Sequence, residues 1–177
     1  IQQREILNSL ILHASEFETG GLRIVVGAHQ QPKFEGGLYT ITQKWLEISG
    51  ADAAIAVVEM QKRVYIVCRA GSGRIRFQPL LAEWGGGGHA QAGSAVVKNA
   101  TLNQVYRRVT EQLHQIVRPA ITARHMMSGP VKTIPPQMTI DEAEQFIYRC
   151  GHTGFPVVEN GKLLGIISRR DVDKAKQ

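Results

Sequence analysis

Apolar positions along the chain follow two periods, and the switches between them predict alternating helices and strands. Ile6, Leu7, Leu10 and Ile11 recur at helical spacing and predict an opening helix. After Gly20-Gly21, the apolar stretch Leu22–Ala28 suits a buried strand. From Gly37 the period is helical again. Leu38, Ile41, Trp45, Leu46 and Ile48 share one face, and Gly50 is placed to stop the helix. Ala53–Met60 and Arg63–Arg69 flank a short polar turn and are rich in β-branched residues, which predicts a hairpin. Pro79 suits the first turn of a short helix that glycine then ends. Ala92–Val97 reads as a further strand. Thr101 and Gln104 fit a capping box for a helix carrying Leu102, Val105, Val109, Leu113 and Ile116, which Pro119 closes.

Beyond Arg118-Pro119 the pattern restarts at smaller scale. Val131–Ile134 is a predicted strand, and Thr139 with Glu142 caps a helix running to Cys150. Phe155–Glu159, Asn160-Gly161 and Lys162–Ser168 give the strongest hairpin signal in the chain, and a last helix starts near Arg169. The fold class is therefore α/β. A mixed-sheet domain spans residues 1–119, and a small β-α-β-β-α unit spans 120–177.

Composition narrows the setting. Two cysteines, Cys68 and Cys150, cannot build a disulfide framework, and no apolar run has the length of a bilayer-spanning helix. With no signal-peptide pattern, a cytoplasmic setting without membrane association is expected. A start at Ile1 rather than Met reads as a piece of something longer. The net charge of +6 speaks to partners rather than to fold. Its distribution says more. From Gln61 to Ala82 there are Lys62, Arg63, Arg69, Arg74 and Arg76 and no acidic residue. On charge alone this is either an anion-facing surface or a solvated hairpin and loop.

The next feature is Gly85-Gly86-Gly87-Gly88-His89, followed by Ala90-Gln91-Ala92-Gly93-Ser94-Ala95. Successive glycines lose much backbone entropy on folding, so they belong where positive φ or a close backbone approach is needed. Their N–H groups would form an anion-binding nest, to which His89 adds a ring N–H. Gly85 would stop the preceding helix. A flexible linker is the competing reading, and the position between an apolar helix end and a strand argues against it.

Taken together, Val64–Ala70, the basic loop and Trp84–Ala95 resemble the substrate-binding C-terminal domain of DHH-family phosphoesterases, over essentially residues 1–119. The resemblance implies that Arg69, Gly86, Gly87, Gly88 and His89 hold the phosphate backbone of RNA, a short oligonucleotide or a nucleotide. The chain departs from the family at Ala70, where Ser is usual, and at Ala92-Gly93, where paired Ala is usual. The family cleaves phosphodiesters at a two-metal site, with Mn or Mg, in a separate N-terminal domain rich in Asp and His. Here Asp52, Asp141, Asp171 and Asp173 are scattered and no Asp-His-His string occurs. No catalytic residue and no metal ligand is assigned, and the chain alone is expected not to be an enzyme. Cys68 reads as core. His13, His29, His114, His125 and His152 read as surface or structural.

Residues 121–176 resemble one CBS domain, carried by Ala123–Ile134 and Met138–Val172. That resemblance implies an adenine nucleotide, AMP or ATP, contacted by Ser168 and Asp171. The alternative for Ser168 is simple helix capping. Such domains work in pairs, so a lone repeat predicts a homodimer through this part. The order of the two domains is similar to the middle of bacterial fusions that join a DHH phosphoesterase, paired CBS domains and a tRNA nucleotidyltransferase/poly(A) polymerase. Two functions follow: a non-catalytic part that binds substrate for a larger polypeptide, or a regulatory and assembly module.

Overall fold

The computed structural model describes residues 2–177. It divides into two compact units, one ending at Ala120 and the other running from Ile121 to Gln177. In the first, α1 (Gln2–Leu12), β1 (Ser15–Thr19), β2 (Leu22–Gln31), α2 (Leu38–Ser49), β3 (Ala53–Met60) and β4 (Arg63–Ala70) come in sequence. They are followed by α3 (Gln78–Leu81) with a 3-10 turn at Ala82–Trp84, β5 (Gly87–His89), β6 (Ala92–Val97), α4 (Leu102–Glu111) and α5 (Leu113–Ile116). The six strands form one mixed sheet in the order β1-β2-β3-β4-β6-β5. Only β2 and β3 run parallel, because α2 carries the chain between them.

Alternation along the strands sends side chains to two helical layers. On one side Ile24, Val26, Ile55, Val57, Ile66 and Cys68 pack with residues of α3, α4 and α5. On the other, Val25, Ala54, Ala56, Val58 and Val67 pack under Ile6 and Leu10 of α1 and Leu38, Ile41, Trp45 and Leu46 of α2. α1 and α2 pack against β2, β3 and β4 but leave β6 and β5 without a helix on that side. That asymmetry positions the site.

Several elements differ from the sequence expectation. β1 was not expected: its one apolar residue, Phe17, faces the core while Glu16 and Glu18 point to water, as suits an edge strand. Ile48 is 63% exposed, while Thr42 is buried and donates its hydroxyl to the Leu38 carbonyl at 2.8 Å. The helix after Thr101 does begin with the expected capping box, but it breaks at Gln112 into α4 and α5. Ile75 and Val117 then bridge, and Arg74 holds two carbonyls, Gly20 O at 2.8 Å and Arg118 O at 3.0 Å.

The second unit contains α6 (Ala123–Met126), α7 (Ile140–Cys150), β7 (Gly154–Glu159), β8 (Lys162–Ser168) and α8 (Arg169–Ala175). Asn160 and Gly161 both take positive φ, 51° and 78°, as a two-residue hairpin turn requires. The core is small: Ile134, Ala143, Ile147, Phe155 and Val172. The strand expected at 131–134 shrinks to one bridge, Ile134 to Val157, since Pro135 follows at once and Val131 stays exposed. Among the described residues, no helix is long and apolar enough to cross a membrane.

Candidate phosphate-binding cavity

The half of the sheet that α1 and α2 leave open forms the floor of a cavity of about 450 Å³. Strand register assembles it. Arg69 lies opposite Ala92 on β6, and Ala92 lies opposite His89 on β5. One row across three strands therefore brings together two residues twenty positions apart. Tyr65, Val67 and Arg69 share the cavity-facing side of β4, with Ser94 and Val96 on β6 beside them. The start of α2, Gly37–Tyr39, and the loop before it make the opposite wall.

Arg69 is half-buried, and among the described residues it has no ion pair. Its guanidinium sits 6.0 Å from the centre of the Tyr39 ring, and its one hydrogen bond, to the Cys68 carbonyl, is long at 3.4 Å. A partly desolvated cation with free donors in a concave site suits an anion. Of the other cations in the acid-free stretch, Arg74 and Arg76 donate to backbone carbonyls. Lys62 and Arg63 lie at the far end of β4. Arg69 alone lines the cavity.

The glycine run is not a nest. Gly85 is the left-handed stop of the 3-10 turn, at φ 65°, and its N–H bonds Ala82 O while the Gly86 N–H bonds Leu81 O. Gly87–His89 then run extended as β5, a strand at the edge of the sheet. The glycines are needed for contact distance. A Cβ on Gly86 would lie 2.5 Å from the Ala95 Cβ, and one on Gly88 would lie 2.2 Å from the Ala92 carbonyl oxygen. Gly93 fits for the same reason, because a Cβ there would meet Leu81 Cδ1 at 2.5 Å. Gly87, Gly88 and His89 line the cavity, and Gly86 does not.

Sequence reasoning missed the aromatic wall. Phe34 and Tyr65 lie with ring centres 5.8 Å apart at 57°, and Tyr39 stands beside Arg69. The available signal was the spacing of Tyr65, Val67 and Arg69, which puts all three on one strand face.

In the second unit, Ser168 and Asp171 bind each other. The Ser168 N–H donates to Asp171 Oδ2 at 2.9 Å and the Ser168 hydroxyl donates to the same oxygen, a capping box at the start of α8. The Ser168 contacts hold the Asp171 carboxyl below its ordinary range. A separate hollow of about 280 Å³ is lined by residues that include Ser128, Lys132, His152 and Thr153. Ser168 pairs with Gly154, another lining residue, across the hairpin. Among the described residues, no three His, Cys, Asp or Glu side chains gather as a metal site.

Residues 123–177 match the CBS domain family. The chain is 33% identical over 174 residues to an A-adding tRNA nucleotidyltransferase of Geobacter sulfurreducens, covering 98% of this chain and 20% of that protein. The C-terminal part of the chain is thus a CBS domain. The A-adding tRNA nucleotidyltransferase of Aquifex aeolicus is similar at 21% identity over 171 residues, again with 96% of this chain and 20% of the relative covered. The chain thus spans 20% of the length of these curated relatives. Among solved structures, the DHH domain of a member of the s1p family of ribosomal proteins aligns with a TM-score of 0.45 and 18% identity, over 66% of this chain and 31% of that one.

Proposed function

We propose that the DHH-associated domain binds the phosphate backbone of RNA, a short oligonucleotide or a nucleotide on behalf of a larger polypeptide. That polypeptide is read as a nucleotidyltransferase of the tRNA or poly(A) type, with an N-terminal phosphoesterase domain that takes Mn or Mg. The convergence of Arg69, Gly87, Gly88 and His89 on one cavity carries this reading. Arg69 supplies charge and a planar fork of donors. His89, exposed at the strand edge, supplies a ring nitrogen, and β5 leaves backbone groups unpaired along the sheet edge.

The test is titration of a labelled short single-stranded RNA against wild type and the Arg69→Ala, His89→Ala double variant. Losing the Arg69 charge-assisted contact alone, about 1.5–3 kcal/mol, predicts roughly 10- to 150-fold weaker binding, and the loss of His89 adds to it. Wild-type affinity should fall steeply with added salt as counterions are released. Unchanged affinity in the double variant overturns the site.

A second reading is assembly. In the CBS domain, Leu163, Leu164 and Ile166 of β8 are 61%, 52% and 74% exposed, on a two-stranded sheet that is too small to be stable alone. We infer that a second copy covers this hairpin. Light scattering on wild type and Leu164→Glu tests it, with a shift from dimer to monomer expected. An adenine nucleotide held near Ser168 and Asp171 belongs to the same reading. Titration of AMP and ATP into the dimer checks it, and no heat with either overturns the nucleotide.

A further inference from the structure

Of the aromatic residues described in the first unit, Phe34 and Tyr39 are the exposed ones, at 52% and 61%. Both lie on the same cavity. Leaving large aromatic faces in water on a wall that also holds Tyr65 is unfavourable unless something covers them. The loop of the wall is also tied to its neighbours. Glu35 donates its N–H to Met60 Sδ at 3.2 Å, Gln31 Nε2 reaches Lys33 O at 2.8 Å, and Gln3 Nε2 reaches Gly36 O at 3.1 Å. A loop tied in this way presents its rings at a reduced ordering cost on binding.

Chemistry is divided along the cavity. Tyr65 and Arg69 share one face of β4 at four residues' separation, about 13 Å along the strand. Arg69 and His89 occupy one end of this line. Phe34 and Tyr65 occupy the other, and Glu35 adds a negative charge that disfavours phosphate there. Tyr39, beside Arg69, connects the two. An inorganic anion would use only the first end, and a duplex keeps its bases stacked out of reach of the rings.

We propose that Phe34, Tyr39 and Tyr65 form a stacking wall for an unpaired nucleobase, so that the cavity selects a single-stranded oligonucleotide end over duplex or bare phosphate. The proposal rests on the phosphate-binding reading of Arg69 and His89 and adds the base to it.

The test uses the 177-residue chain with three probes: a short single-stranded RNA, an abasic ribose-phosphate chain of equal length, and a blunt RNA duplex. Base–aromatic stacking predicts that wild type binds the single strand roughly 5- to 100-fold tighter than the abasic chain. Phe34→Ala with Tyr39→Ala should abolish that gap, and Phe34→Ala alone, at the end away from Arg69, should narrow it by weakening the single strand and not the abasic chain. Phe34→Leu with Tyr39→Leu keeps apolar bulk and should lose most of the gap as well. Arg69→Ala should weaken both single-stranded probes. If the aromatic variants keep the gap, or weaken both probes equally, the wall is refuted while phosphate binding stands. Duplex binding as tight as the single strand also refutes it. If the gap survives but Arg69→Ala changes nothing, the phosphate reading fails by itself. If no probe binds wild type, both fail.

Discussion

Gly88→Ala should loosen the strand that carries His89. A Cβ at this position would lie 2.2 Å from the Ala92 carbonyl oxygen, 2.5 Å from Gly93 Cα and 3.0 Å from the Ala92 carbonyl carbon. All three are backbone atoms, so no side chain can swing aside. Gly88 faces Gly93 in the register, and the strands meet there without a Cβ on either side. Reaching an ordinary carbon contact of about 3.5 Å requires β5 to retreat by roughly 1 Å, beyond what its few ladder hydrogen bonds tolerate. Overpacking of this kind costs about 1–3 kcal/mol. For the larger unit that is a fall of roughly 4–12 °C in Tm. Both tryptophans, Trp45 and Trp84, lie in the first unit, so tryptophan fluorescence follows its unfolding separately from the CBS domain. Gly87→Ala is the control. Its added methyl would meet only Gln78 Oε1, at 3.8 Å, and should shift stability by less than about 0.5 kcal/mol. Equal melting of Gly88→Ala and wild type, or an equal loss in Gly87→Ala, would refute the close-approach argument.

Three further outcomes follow from other parts of the chain. Cys68 is fully buried and its thiol is pushed far above the ordinary range by burial, whereas Cys150 is half-buried. A thiol-labelling time course should therefore modify Cys150 in the native chain and Cys68 only after unfolding, and equal rates would contradict the packing. Glu142 and Asp171 both titrate below their ordinary values of 4.5 and 3.8, through contacts from Thr139 and Ser168 respectively. Because the folded values are the lower ones, this stabilisation of the CBS domain is complete above 4.5 and disappears as the pH falls through the folded values. Circular-dichroism melts should show that acid limb, flattened in Glu142→Gln and Asp171→Asn; an unchanged slope in both would remove the capping explanation. Thr101→Ala deletes the acceptor of the Gln104 N–H, a bond of 3.3 Å, and should cost about 1 kcal/mol in the tryptophan-monitored melt, with Thr101→Ser restoring most of it.

Elements whose signal is local were legible in the residues. Thr101 with Gln104, Thr139 with Glu142 and Asn160-Gly161 each carry their geometry within four positions, and all three form as expected. Elements made by their neighbours were not. β1 has a single apolar side chain, and β5 is three residues of which two are glycine, so neither has a pattern until β2 or β6 pairs with it. The break at Gln112 has no Gly or Pro to announce it, and the apolar period runs through it unchanged. The site divides in the same way. Arg69 and His89 were singled out through resemblance, yet only the register of three strands puts them in one row. Phe34 lies in an aperiodic loop and Tyr39 reads as helix surface, so nothing local marked them as partners. The acid-free stretch was visible but misleading, because Arg74 and Arg76 are tied to carbonyls.

The open half of the sheet separates two demands that many domains impose on the same residues. The packing beneath α1 and α2 draws on β2, β3 and β4, while the walls of the cavity come largely from the 32–37 loop, the first turn of α2 and the edge strand. Exchanges at Phe34, Glu35 or Tyr39 alter the chemistry of the cavity wall and leave the buried layers as they were. A chain built this way can remodel its cavity by small steps, each starting from an intact fold.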